Sequence, residues 1–191
     1  MTPAPVEIRQ LSPSLLPDFL SFFDGEAFAD NPRWAFCYCQ FAYVDHGKVD
    51  WKTRTADANR AAACERIGAD RMQGFLAYRD GKPVGWCNAA PRTMLDAYAN
   101  EPDPDAGRIG QITCFVVAEA HRRSGVAASL LQATCAGLKA QGLAIAEAMP
   151  RAQTASDAQA HDGPMGMYLA AGFEVHRTLG DGRVVVRRSL P

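Results

Sequence analysis

One segment, from Cys114 to Leu131, constrains the fold more than any other part of the chain. It begins with a continuously apolar run, which is typical of a strand that is buried on both faces of a sheet. It then passes through the turn Arg122-Arg123-Ser124-Gly125-Val126-Ala127 and continues as a helix. A helix that opens directly after a buried strand directs unpaired backbone N–H groups and partial positive charge toward one point. The pattern predicts an α/β protein with an anion site at this turn.

The composition of the turn favours a phosphorylated ligand. Gly125, Ala127 and Ala128 are small, so a phosphate group can approach the backbone closely. Arg122 and Arg123 add positive charge that suits phosphate oxygens. The turn lacks the endings of a Walker loop and of a dinucleotide-binding fingerprint. The alternative is a purely structural turn, in which Ser124 or a neighbour caps the helix and the arginines are solvated.

Two ordered motifs carry a resemblance to a known family. Arg122-x-x-Gly125-x-Ala127 after an apolar strand resembles the pyrophosphate loop of the GNAT superfamily of acyl-CoA-dependent N-acyltransferases. Met167-Tyr168-Leu-Ala-Ala-Gly172-Phe173 resembles the second signature of that family. The likeness covers residues 70 to 189 well and residues 1 to 70 in element order only. Further short motifs that include Glu147-Ala-Met-Pro150 are similar to a bacterial branch of the family, without indicating a substrate.

The resemblance implies a fold and a cofactor. The fold is a mixed, mostly antiparallel central sheet with helices on both faces, in the order β-α-α-β-β-β-α-β-α-β-β. The co-substrate is acetyl-CoA, with its pantetheine arm near Phe115 and Val117, where a backbone N–H also serves as an oxyanion donor. The alternative is that the side chains of Phe115 and Val117 are plain core. The residues implied to hold the pyrophosphate are Arg122, Arg123, Ser124, Gly125, Val126, Ala127 and Ala128.

Two residues are implied to transfer protons. Tyr168 is expected to protonate the leaving thiolate, and its alternative role is packing against the cofactor arm. Glu147 is expected to accept the amine proton, directly or through water, and its alternative role is that of a buried or substrate-binding acid. His121 and His161 are expected to be surface histidines rather than bases.

The acceptor pocket is expected where the sequence is least regular. Residues 26–54 are crowded with aromatic side chains that follow no clean period, and residues 91–107 read as a loop or irregular helix. Variable loops on a fixed scaffold are where substrate choice usually lies. Arg92 is predicted to pair with a substrate carboxylate. The alternative is that these aromatics form a satellite core and that Arg92 is solvated.

Composition narrows the class of partner and compartment. The 191 residues suit a single domain spanning 1–191, and 48% hydrophobic with 21% charged residues supports a core. A net charge of −1 does not indicate the basic surface that binds nucleic acid or an anionic membrane. The start of the chain lacks the pattern of a signal peptide, so the cytoplasm is expected. The predicted acceptor is a small-molecule or peptide amine, and the oligomeric state stays open, a homodimer included.

The cysteines are expected to be reduced core residues. They lack the even, loop-framed spacing of a secreted scaffold. Cys37 and Cys39 form a suggestive pair, but a zinc site needs further ligands and only His46 lies near in sequence. We therefore expect no metal.

Local patterns predict the elements and leave the function class open. Helices are expected over 13–23, 55–71, 125–140 and 164–172, with Gly142 after the third. Strands are expected over 6–11, 74–78, 83–90, 109–117, 143–149, 173–178 and 183–187, and Asp80-Gly81 predicts a hairpin. The leading function is N-acetyl transfer to an amine. The alternatives are a degenerate CoA-binding sensor or interaction module and an unrelated phosphate-binding α/β protein such as a nucleotide binder.

Overall fold

The computed structural model describes residues 5–154 and 160–191. The elements follow the predicted order β-α-α-β-β-β-α-β-α-β-β, interrupted by short 3-10 turns. In chain order they are β1 (Glu7–Gln10), α1 (Leu16–Asp24), α2 (Ala56–Gly68), β2 (Gly74–Arg79), β3 (Lys82–Pro91), β4 (Ile109–Val117), α3 (Val126–Ala140), β5 (Ile145–Ala148), α4 (Met165–Ala170), β6 (Glu174–Thr178) and β7 (Val184–Ser189).

The described strands form one mixed sheet in the order β1-β2-β3-β4-β5-β7-β6. Its pairs are antiparallel except for β4 and β5, which run parallel. The hairpin between β2 and β3 turns at Asp80 and Gly81, whose φ angles of 49° and 74° are those of a tight two-residue turn. The mixed, mostly antiparallel sheet predicted from the resemblance is confirmed.

Helices cover both faces of the sheet. On one face α3 packs against β2 and β3, and Leu130 and Leu138 enter a core shared with Phe75. A side chain at Gly110 of β4 would lie 2.6 Å from Leu138, so the missing Cβ lets α3 lie close to the sheet. On the other face α1 packs against β3 around Trp86. Among residues 5–154 and 160–191, no helix combines the length and the apolar character needed to cross a membrane.

Residues 26–54 fold as a chain of single 3-10 turns. These are Glu26–Phe28, Pro32–Trp34, Phe41–Tyr43 and Trp51–Thr53. Their aromatic side chains divide into two sets. Tyr38 and Tyr43 are buried in the core that α1 shares with the sheet, whereas Trp34 and Phe41 are 38% and 51% exposed. Part of this segment is therefore satellite core, and part faces outward.

Candidate active site

The two central strands separate halfway along β4. The parallel pairing joins Ile109–Ile112 to Ile145–Ala148, where β5 ends, while β4 continues to Val117. On its other side β4 carries an extra residue, Thr113, because the register with β3 shifts between Asn88 and Ala89. A bulge of this kind bends a strand and increases its twist. The second half of β4 therefore diverges from β5 and leads toward the turn at Arg122.

The turn presents the open N-terminus of α3. Gly125 precedes the helix with φ +84°, and Arg123 also has a left-handed φ of +57°. A Cβ at Gly125 would meet no atom within 4 Å, so the space in front of the helix is open. Ser124 does not cap the helix, because its hydroxyl donates to the carbonyl of His121 at 2.5 Å. The helix therefore begins with uncapped N–H groups, as an anion site requires.

A cleft of about 210 Å³ runs along the second half of β4 to this turn. Of the residues predicted to bind the cofactor, the structure brings five into its lining: Phe115, Val117, Arg122, Arg123 and Ala127. Val126 is buried, and Ser124, Gly125 and Ala128 are not among the residues that line the cleft. The opposite wall comes from residues 27–34 and 160–164, and it includes Asp30, Trp34 and His161.

Arg122 spans the cleft at the end formed by the turn. Its Nε donates to the carbonyl of Val117 at 3.0 Å, and its two terminal nitrogens donate to the carboxylate of Asp30 at 2.6 and 2.9 Å. The hydrogen bond from Arg122 lowers the pKa of Asp30 below its ordinary value, although partial burial opposes the shift. Asp30 is therefore a carboxylate at neutral pH and forms a bidentate ion pair with Arg122.

At the other end of the cleft, the segment from Ala160 to Gly163 lies against β4. The backbone N–H of Phe115 donates to the carbonyl of His161 at 2.6 Å. The His161 ring contacts Trp34 with ring centroids 4.8 Å apart, so the two segments that form the opposite wall meet there. The predicted oxyanion donor was a backbone N–H of this strand near Phe115 and Val117, and the N–H of Phe115 is bonded to the chain's own backbone.

Tyr168 is fully buried behind the same segment. Its hydroxyl donates to the carbonyl of Asp162 at 2.7 Å, and its ring packs edge-on against Phe115 and Phe173. Gly163, with φ +87°, permits this approach, because a Cβ there would lie 2.9 Å from the Tyr168 hydroxyl. Burial raises the pKa of Tyr168 well above its ordinary value. The phenol is therefore protonated at neutral pH.

Asp162 is a residue that sequence reasoning missed. Burial raises the pKa of its carboxyl above the ordinary value, and the neighbouring His161, Arg183 and Arg151 only partly oppose that shift. Carboxyl groups with a raised pKa are common at functional sites. No motif in the sequence marks Asp162, since its position depends on how residues 160–163 fold over β4.

Glu147 lies in a buried ion-pair network. It faces Gln111 on β4 and Arg187 on β7 across the sheet. Its side chain is 1% exposed, and its two carboxylate oxygens accept from Arg92 at 3.0 Å and from Arg187 at 2.6 Å. Arg187 extends the network to Asp103. These surroundings correspond to the second of the two predicted roles for Glu147, that of a buried acid.

Arg92 is neither solvated nor free. Its side chain is 3% exposed, and its Nη1 donates to Gln111 at 2.8 Å and to Glu147 at 3.0 Å. Its Nη2 makes only longer contacts, 3.3 Å to the carboxylate of Glu101, which is 54% exposed. The guanidinium also stacks on Tyr98 at 4.3 Å. Arg92 lines a separate cavity of about 530 Å³ within residues 92–106.

The cysteines are free thiols in packed surroundings. Cys39 accepts a hydrogen bond from the indole of Trp86 at 3.1 Å. Burial raises the pKa of Cys37 to about 12, so its thiol stays protonated. Within residues 5–154 and 160–191, no group of His, Cys, Asp and Glu side chains has the arrangement to hold a metal ion.

A family model matches most of the chain. The model of the acetyltransferase (GNAT) family matches residues 31–173, well over half of the 191 residues. The chain therefore belongs to the GNAT acetyltransferase family, which confirms the predicted resemblance and classes it with acyltransferase enzymes. The alternative of an unrelated phosphate-binding α/β protein is excluded. A search of curated protein sequences finds no match.

Solved structures share the fold at low sequence identity. An N-acetyltransferase from Staphylococcus aureus Mu50 superposes with a TM-score of 0.59 at 16% identity, covering 98% of this chain and 100% of that one. The PaiA N-acetyltransferase of Thermoplasma acidophilum, in complex with coenzyme A, gives 0.57 at 11% identity, with coverage of 97% and 99%. YncA from Salmonella typhimurium, with its cofactor acetyl-CoA, gives 0.56 at 13% identity, with coverage of 97% and 94%.

Proposed function

We propose that the chain is an N-acetyltransferase that moves an acetyl group from acetyl-CoA to a primary amine of a small molecule or peptide, by direct attack in a ternary complex. The observation that carries the proposal is the course of β4. Its pairing with β5 ends at Ile112, and the strand then leads to the N-terminus of α3 at Gly125. An extended carrier arm can pair along such a strand edge while its diphosphate reaches the helix N-terminus.

The donor side of the reaction falls to the turn and to β4. Arg122, Arg123 and the N–H groups that follow Gly125 would hold the pyrophosphate. The N–H of Phe115 would donate to the thioester oxygen as negative charge develops on it during attack. To reach that N–H, the thioester has to replace the carbonyl of His161, which accepts from it now.

Tyr168 is the proposed acid. When the amine nitrogen bonds to the acetyl carbon and the carbon–sulfur bond breaks, the thiolate takes the phenolic proton. Its raised pKa keeps the phenol protonated until that step. The hydroxyl must then exchange its present acceptor, the carbonyl of Asp162, for the sulfur.

Glu147 is the proposed acceptor of the amine proton, in the relayed form. Its side chain is 1% exposed and both carboxylate oxygens are bonded to arginines, so a water has to carry the proton to it. Without such a relay, Glu147 only anchors Arg92 and Arg187. The two roles predict different dependences of the rate on pH, because only a relay makes proton transfer to Glu147 a step of the reaction.

The proposed acceptor pocket joins residues 26–54 to the loop from Arg92 to Gly107. Arg92 keeps its proposed role through Nη2, whose contact with Glu101 is the longest that this guanidinium makes to a carboxylate. Glu101 is largely exposed, so a substrate carboxylate can take its place without breaking the buried pair with Glu147. The exposed ring of Trp34 would supply an apolar wall on the side of the cleft.

A second candidate function is a CoA-binding sensor or interaction module without turnover. The observation in its favour is that both groups needed for chemistry, the N–H of Phe115 and the hydroxyl of Tyr168, are bonded to the chain's own carbonyls. A protein that binds CoA but never exposes these groups would not transfer the acetyl group.

We place the reaction in the cytoplasm. The cysteines are all free thiols, as is usual in a reducing compartment.

The test is a panel of amines with acetyl-CoA, in which free CoA is followed by its thiol and each product by its mass. Transfer predicts amine-dependent thiol release together with an acetylated amine. Binding of acetyl-CoA without release for any amine would favour the sensor, and the absence of acetyl-CoA binding would contradict both candidates.

A further inference from the structure

An acidic side chain of the chain itself occupies the phosphate end of the cleft. Asp30 follows the turn Glu26–Phe28 and reaches Arg122, which lies 92 residues further along the chain. Both carboxylate oxygens accept from the guanidinium, at 2.6 and 2.9 Å. This two-point geometry is the one that arginine uses for carboxylates and phosphates alike. The ion pair therefore uses the same donors that a phosphate group would use.

The position of this carboxylate matters because it shares a cavity with the turn. Asp30, Arg122, Arg123 and Ala127 all line the cleft along β4. The cleft holds about 210 Å³, less than the roughly 300–1,000 Å³ that is usual for ligand pockets. The side chains of Asp30 and Arg122 are each 26% exposed, so this is a partly desolvated pair rather than a loose surface contact.

We propose that Asp30 is an internal counter-anion of Arg122, so that the pyrophosphate of acyl-CoA must displace the Asp30 carboxylate from Arg122 in order to bind. This inference rests on the proposed function, which places the pyrophosphate at this turn. Asp30 thereby sets the affinity for phosphate-bearing ligands.

The substitution Asp30→Asn tests the idea, since it keeps the shape and removes the charge. It should tighten CoA binding by at least roughly threefold, because the phosphate no longer competes with a paired carboxylate. Pantetheine, which has no phosphate, should bind both proteins equally. In a background of Arg122→Ala, the substitution Asp30→Asn should leave CoA affinity unchanged. The guanidinium for which Asp30 and the phosphate compete is then absent, so the double-mutant cycle isolates this competition. The affinities are measured by calorimetry.

Asp24→Asn is the matched control. Asp24 makes a similar two-point pair with Arg60, with N–O distances of 3.0 and 2.8 Å, and it lies outside the cleft lining. Its loss should not change CoA affinity. Thermal unfolding of each variant confirms that it is folded under the conditions of the titration.

The outcomes separate the two proposals. Unchanged or weaker CoA binding by Asp30→Asn would overturn the counter-anion while leaving the proposed function in place. Equal tightening for CoA and pantetheine would also overturn it, because the effect would then be one of access rather than of charge. A natural chain that binds no CoA at all would contradict the proposed function and the counter-anion with it.

Discussion

The backbone N–H of Phe115 donates a 2.6 Å hydrogen bond to the carbonyl of His161. This contact joins the open half of β4 to the segment that also holds the hydroxyl of Tyr168 through Asp162. The groups proposed to stabilise the oxyanion and to protonate the thiolate are thus bonded to neighbouring residues of one segment. Opening of residues 160–163 would make both available together.

The first prediction concerns Tyr168→Phe. Loss of the proton donor should lower turnover by roughly 100-fold or more while acetyl-CoA affinity stays unchanged. The substitution also leaves the part-buried carbonyl of Asp162 without its partner, which costs about 1 kcal/mol of stability. Rates are therefore compared at a temperature where both proteins are folded. Normal turnover in the variant would reduce Tyr168 to a packing role.

The second prediction concerns the buried network around Arg92. Arg92→Ala leaves the Glu147 carboxylate buried with one partner fewer and should cost about 3–5 kcal/mol in the free energy of unfolding. The control Arg108→Ala removes an exposed pair with Asp105, on the same loop, and should cost less than about 1 kcal/mol. Chemical denaturation measures both. Equal, small costs would mean that the pair with Glu147 contributes little to stability.

Arg92→Ala also tests the acceptor pocket. If Nη2 binds a substrate carboxylate, the rate falls further for acceptors that carry a carboxylate than for matched acceptors that lack one. An equal loss for both kinds of acceptor would remove Arg92 from the pocket and leave it a structural residue.

The third prediction is a pH dependence of stability from Asp162. Burial raises its pKa, so the folded protein keeps this proton at a pH where the unfolded chain has lost it. The stabilising contribution of Asp162 is therefore complete below its unfolded pKa, near its ordinary value of 3.8, and is lost as the pH rises through the folded pKa. Asp162→Asn should gain stability relative to the natural chain as the pH is raised from 4 to 8, as measured by thermal unfolding.

Asp181→Asn is a control for which the opposite change of stability with pH is expected. Hydrogen bonds from the backbone and side chain of Arg183 lower the pKa of Asp181. The Asp181→Asn variant should therefore lose stability relative to the natural chain as the pH rises above the ordinary pKa of that carboxyl. A difference between Asp162→Asn and the natural chain that does not change with pH would contradict the burial argument.

The elements could be predicted from the sequence because local signals fix them. Asp80-Gly81 supplies the two positive φ angles of a tight hairpin, and Gly142, with φ +82°, follows the end of α3 as predicted. Contacts between distant segments carry no such signal. The pairing of Arg92 with Glu147 and Arg187 depends on how β5 and β7 align, and that of Asp30 with Arg122 depends on where the 3-10 turns place residue 30.

The same contrast between local signals and distant contacts applies to the candidate site. The turn at Gly125 was visible because glycine and small residues follow a buried strand there. The contact of residues 160–163 with β4 could not be predicted from the sequence, since a backbone carbonyl forms it and every residue has one. Gly163 is the one local trace of it, because its positive φ and missing Cβ admit the Tyr168 hydroxyl.

The most direct test of acetyl-CoA binding at this turn is a calorimetric titration of acetyl-CoA into the natural chain and into Gly125→Glu. The glutamate adds bulk and negative charge to the open space before α3, where the pyrophosphate is proposed to bind. Gly125→Ala is the matched control, since it carries the same backbone strain at φ +84° without the charge. We expect that the natural chain binds, that Gly125→Ala retains much of that affinity, and that Gly125→Glu shows no measurable binding while still folded. Unchanged affinity in Gly125→Glu would contradict binding at this turn.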